Sequence, residues 1–162
     1  MPGRIDSRLK SLDITLPQAA TAVGNYVPWV MTGSLVFVSG QITLWEGTLR
    51  HVGRVGESLT LDDGYQAARL CGLNIIAQVR EACGGDLDRV RRVVRLAGFV
   101  NCVPGFEDHP KVLNGASDLM VEVFGDAGRH ARAAVGASSL PRGVAVEIEA
   151  VVDIGPENVS AA

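Results

Sequence analysis

Glu147 and Glu149 stand two residues apart inside the apolar run 144–151, where Val144, Val146, Ile148 and Ala150 alternate with Ala145, Glu147, Glu149 and Val151. A strand period of two puts both carboxylates on one face. Leaving a carboxylate buried and unpaired costs on the order of several kcal/mol, comparable to the whole stability of many domains. A cation or a wet cleft must therefore adjoin this face. Arg132 opens the preceding strand-like run and is the obvious cation. Its planar guanidinium can give two parallel hydrogen bonds to a carboxylate. Read from residues alone, it either pairs with Glu147 or Asp126 or grips a carboxylate brought by a ligand.

Other chemistries find less support. His51, His109 and His130 lie far apart in no metal-ligand spacing and read as surface or loop histidines, so no metal and no cofactor is expected. Ser39 lies in SGQI rather than GxSxG, and Gly53 and Gly56 lack the lysine and helix of a phosphate loop. Cys71, Cys83 and Cys102 have no metal spacing and an odd count, which fits reduced thiols. The net charge of −3 offers no footprint for nucleic acid. Arg89, Arg91, Arg92 and Arg95 cluster locally, and on a strand Arg89, Arg91 and Arg95 would share one solvated face. Neither a signal peptide nor a long apolar segment is apparent, so a cytoplasmic protein without membrane contact is expected.

The elements that must position these residues follow from periodicity. Residues 4–12 fit a short amphipathic helix, and 26–32, 35–42 and 49–55 read as strands of a meander. Thr60 and Asp63 form a capping-box-like start for a long helix through residue 82, with Leu61, Ala68, Ile75, Ile76 and Val79 on its apolar face. Residues 88–101 have strand spacing. Asp108 and Pro110 then open a second helix, ending near Gly125, with Val112, Leu119, Met120, Val123 and Phe124 on one side. Two closing strands complete the order β-β-β-α-β-α-β-β. This predicts an α+β two-layer sandwich: a mixed or antiparallel sheet with two helices packed on one face. At 162 residues, with 47% hydrophobic residues and no internal repeat, one domain over 25–154 is expected, preceded by an extension at 1–24 and followed by a tail at 155–162.

The pattern ARxAVxxxxLPxGxxVEIEAV resembles the C-terminal signature of the Rid family, also called YjgF, which includes imine deaminases and relatives labelled as L-PSP-like endoribonucleases. Asn25-Tyr26 and the strand 35–42, LVFVSGQI, resemble the family's N-terminal tyrosine and SGQI strand. Residues 88–90 leading to Phe99-Val100, and 112–114 near the start of the second helix, sit where the family has similar residues. The collinear match spans roughly residues 25–152.

That resemblance implies a chorismate-mutase-like subunit forming a homotrimer, with ligand clefts between neighbouring subunits. It implies that Arg132 grips the carboxylate of a small imine-bearing metabolite and that Glu147 positions or activates water. Hydration of a 2-imino acid at C=N and loss of ammonia would yield a 2-keto acid without a metal. Tyr26 falls on the tyrosine that closes the cleft, Ser39 and Gly40 on backbone that approaches the ligand, and Asn114 on a polar group near a helix start; Glu149 reads instead as a structural partner. Ala134 stands where deaminases of the family often have cysteine. The other reading is a non-catalytic protein that holds a small carboxylic acid in the same cleft, with a ribonuclease behind both.

Overall fold

A computed structural model describes residues 2–156. The chain begins with α1 (Arg4–Ser11), whose Ile5 and Leu9 enter the core. Its first turn is capped from afar: the two Asp88 carboxylate oxygens accept the Arg4 and Ile5 amides, each at 2.7 Å. These hydrogen bonds hold the Asp88 carboxyl below the ordinary range.

The strands are β1 (Trp29–Thr32), β2 (Leu35–Gln41), β3 (Leu44–Trp45), β4 (Thr48–Leu49), β5 (Arg92–Asn101), β6 (Ala131–Ala137) and β7 (Val146–Asp153). The main sheet has the order β1-β2-β7-β5-β6, with β5 and β6 parallel and every other pair antiparallel. Two long helices, α2 (Leu61–Ala82) and α3 (His109–Phe124), pack on each other and against one face of it. The expected mixed α+β sandwich is therefore the architecture observed.

The Thr60–Asp63 capping box starts α2 as expected, and Ala68, Ile75, Ile76 and Val79 are buried. Leu61 is not, being 37% exposed in the first turn. The apolar face expected of α3 is also buried. Asp108 occupies the N-cap position, but its side chain pairs with Lys111 at 2.9 Å instead of capping the helix.

Three expectations are corrected. The strand expected at 49–55 is instead the small β3–β4 hairpin followed by isolated bridges at Val52 and Val55. The strand expected from residue 88 begins at Arg92, because Leu87–Arg89 forms a 3-10 turn capped by Asp86. Arg89, Arg91 and Arg95 consequently do not line one strand face: Arg89 donates to the Cys83 carbonyl, and a register slip separates Val93 from Arg95. Of the expected tail at 155–162, residues 157–162 lie outside the described residues.

The sheet face opposite the helices is open. Cross-strand registers align Val30, Phe37, Val151, Arg95 and Ala131 on it, and beside them Phe99 and Val135. Val30, Phe37 and Val135 are each about half exposed, at 53%, 45% and 46%.

A candidate active site in two halves

Ile148 and Ala150 of β7 point into the core, at 0% and 4% exposure, so Glu147 and Glu149 point to the open face. The pairing of Phe99 with Glu147 and of Ala97 with Glu149 sets that parity. On the adjoining β2 the register slips between Val38 and Gln41, bulging the strand at Ser39 and Gly40. The bulge lets Gly40 lie directly against the Glu147 carboxylate. A methyl at residue 40 would overlap the Oε1 atom and approach the carboxyl carbon to 3.0 Å. The strand bulge and the close approach of a carboxylate thus occur together at this glycine.

Glu147 sits in a hollow of about 400 Å³, lined also by Tyr26, Gly40, Gln41, Asn74 and Arg142 and walled by residues 20–23. Burial, and then the charge of Glu149, push its carboxyl above the usual range. None of the ion pairs among the described residues includes it. Asn74 holds the floor, donating to the Leu44 and Leu70 carbonyls at 2.8 and 3.1 Å. Gln78 fixes the N-terminal wall by donating to the Ala20 carbonyl at 2.7 Å. Ser39 lies next door: its hydroxyl donates to the Val27 carbonyl at 2.8 Å, and it lines the shallower hollow that holds Arg95 and Glu149. By tying down Val27 it steadies the segment that carries Tyr26, a residue 56% exposed.

Arg132 is elsewhere. As the cation expected to neutralise this face it is corrected by strand parity: it pairs with Leu96, a core position, so it faces the helix side at the sheet edge formed by β6. There its Nη1 donates to Asn114 Oδ1 at 2.8 Å and to Ser117 Oγ at 3.1 Å. No described residue takes its Nε and Nη2 hydrogens by a hydrogen bond, and the side chain is exposed. Both α3 residues lie on one helix face, three positions apart.

His130, expected as a loop or surface residue, is half-buried behind this arginine. Its Nδ1 lies 2.6 Å from the Gly128 carbonyl, which can only accept, so Nδ1 carries the proton and Nε2 is bare. Ser117, 2.9 Å away, then donates to Nε2 while accepting from Arg132. Burial, foremost, and the nearby Arg132 charge lower the His130 pKa, although the Gly128 hydrogen bond opposes them. The result is an arginine oriented by a serine whose own hydroxyl direction is set by a neutral imidazole.

The structure thus gathers Glu147, Gly40 and Tyr26 in one place and Arg132 with Asn114 in another. Sequence reasoning missed Ser117, His130, Gln41, Asn74 and Arg142. Ser117 carried a signal, its spacing from Asn114. Arg142 carried none, since it enters the hollow from a 3-10 turn, Pro141–Gly143, at a positive φ of 57° that no strand periodicity describes.

A five-stranded mixed sheet with two long helices on one face defines the class as a two-layer α+β sandwich. The comparisons give the class its family. Residues 6–148 match the family model described as YjgF/chorismate mutase-like, which also carries an endoribonuclease label. Protein TCP17 of Trypanosoma cruzi is 47% identical over 153 residues, covering 94% of this chain and 95% of the relative. The crystal structure of Atu1372 of Agrobacterium tumefaciens, a protein of unknown function, is 49% identical, with a TM-score of 0.86 over 93% of this chain and 92% of that one. Escherichia coli TdcF, solved with bound serine, is 26% identical, with a TM-score of 0.61 over 84% and 93%. The chain belongs to the YjgF/Rid family, in a branch that diverges from TdcF and lies near Atu1372.

Proposed function

We propose that the protein is a metal-free deaminase that hydrolyses 2-imino acids, or their enamine tautomers, to 2-keto acids and ammonia. The active assembly in this proposal is a homotrimer with a cleft between subunits. The observation that carries it is the separation just described: Arg132 has donors to spare, while Glu147 lacks an ion-pair partner among the described residues. A second copy docked on the open, apolar sheet face would bring one chain's arginine to another chain's glutamate.

In such a cleft the Arg132 fork holds the substrate carboxylate, with Asn114 and Ser117 fixing its plane. Glu147 takes a proton from water as the oxygen adds to the imine carbon, then returns one to the departing nitrogen. Its raised pKa suits both steps, because a carboxyl that holds its proton more firmly is a better base when ionised. Tyr26 covers the bound ligand from the side, and Ser39 supports it through the Val27 segment. The serine bound to TdcF supports a small amino-acid-like ligand.

Ribonuclease activity has less behind it. The net charge is −3, and His109 and His130 are engaged in separate contacts rather than as a pair. No helix among the described residues is long and apolar enough to cross a membrane, which is compatible with action on a metabolite in the cytoplasm.

The test is release of ammonia and keto acid from imino acids made in situ by an amino-acid oxidase. The proposal expects acceleration by the wild type that is lost in Arg132→Ala and in Glu147→Gln. Folded protein that accelerates no imino acid across a range of side chains would overturn the deaminase and leave a carboxylate-binding protein in its place.

A further inference from the structure

Four residues beyond Arg132 on β6, Gly136 faces a separate hollow of about 320 Å³ between the end of β5 and the start of α3. Its wall includes Arg54, Cys102, Phe106 and His109. Cys102 Sγ lies 3.5 Å from His109 Nε2. Gly136 makes that approach possible, since a methyl there would sit 2.7 Å from Nε2 and 3.0 Å from Sγ. The Phe106 ring meets the imidazole edge-on at 5.2 Å and fixes its plane. Val55 bridges to Cys102, bringing Arg54 alongside, and the arginine is anchored by donating to the Ser138 carbonyl at 2.9 Å.

We infer that Cys102 and His109 form a second reactive site, in which a thiol with an adjacent base adds to activated alkenes that carry a carboxylate. The Sγ electron pair forms the new bond to the β-carbon of the alkene. The C=C pair moves to the α-carbon, and the Sγ proton passes through His109 Nε2 to that carbon. A thioether results, with no oxidant and no leaving group. Arg54 faces the electrophile's carboxylate.

The other thiols do not compete. Cys71 and Cys83 are 0% and 3% exposed, and burial pushes both up, Cys83 to about 11. Partial burial raises the Cys102 thiol too, while the Ala137 amide and Arg54 oppose that rise. The thiol is therefore protonated at rest, and attack depends on a base beside it.

The experiment treats native full-length protein with monomethyl fumarate, which is anionic, and with neutral dimethyl fumarate, reading the rate and site of addition by mass spectrometry. A single adduct at Cys102 is expected, with a monoester-to-diester rate ratio above that of free glutathione. Arg54→Met should return the ratio to the glutathione value. His109→Gln and Gly136→Ala should each slow addition by about 10-fold or more, with an unchanged circular dichroism spectrum certifying the fold. A monoester-to-diester ratio at Cys102 no higher than that of glutathione, or addition unaffected by both His109→Gln and Gly136→Ala, would overturn the assignment.

Discussion

The Arg132 cluster between β6 and α3 and the Glu147 hollow on β7 treat charge in opposite ways. The arginine is exposed, held by two side-chain oxygens, and shows its remaining donors outward. The glutamate is half-buried against Gly40, without an ion pair among the described residues, and its neighbour Glu149 adds repulsion. One half offers guanidinium donors to the outside, and the other a carboxyl that burial and a like charge make harder to ionise. Each lacks what the other has, and their strand faces keep them apart within a single chain.

Breaking the Glu147 half should have the largest effect. Glu147→Gln is expected to lower kcat by about 10²-fold or more with little change in KM. Gly40→Ala should approach that loss, because its methyl displaces the same carboxylate; steady-state kinetics on both variants checks the pair. Arg132→Ala should act chiefly on KM, raising it about 10- to 100-fold through loss of charge-assisted hydrogen bonds.

Smaller effects sharpen the contrast. Ser117→Ala removes one support of the guanidinium at a cost of about 1 kcal/mol, or roughly 5-fold in carboxylate affinity. His130→Gln should have a similar or smaller effect, measured by calorimetry with a small 2-keto acid. Burial lowers the His130 pKa, so the neutral relay should persist at a pH where free histidine is already charged. Once it protonates, Nε2 becomes a donor facing Ser117, and a positive charge appears beside Arg132. That charge attracts an anion, so carboxylate affinity should rise on the acid side, at a pH below the ordinary histidine range, in the wild type and not in His130→Gln.

The subtlest change concerns Glu149. Because burial and Glu149 raise the Glu147 pKa, a reaction that needs the carboxylate should fail on the acid side at a higher pH than for a free glutamate. Glu149→Gln removes the like charge, so the acid limb of the kcat profile should move to lower pH while the plateau hardly changes. An acid limb that moved upward would contradict this account of Glu147.

Much of this was legible in residue order, and what was not has identifiable physical causes. The two long helices announce themselves by capping residues and apolar stripes, as at Thr60 and at Leu119 with Val123, because both signals are local. The parity of Glu147 and Glu149 is likewise local to β7. The face of Arg132 is not: it depends on a parallel pairing with β5 across thirty-odd residues of sequence, so the cation offered by the preceding strand faces the other side. His130 looked like a loop residue because its partners, Ser117 and the Gly128 carbonyl, are brought to it by α3 and the turn that follows. Residues 20–23 have no periodicity at all, yet Gln78 reaches from α2 to pin them as a wall of the Glu147 hollow.

The most direct test of the divided site is complementation between two inactive variants. Arg132→Ala and Glu147→Gln proteins, each folded, would be mixed, dissociated and reassembled, and the mixture assayed for imino-acid hydrolysis. If each cleft takes its arginine from one subunit and its glutamate from the next, random assembly leaves about a quarter of the clefts with both wild-type groups, and about a quarter of wild-type activity should return. Activity no higher than that of the two variants alone, in a mixture shown by mass to contain hybrid oligomers, would contradict the shared cleft.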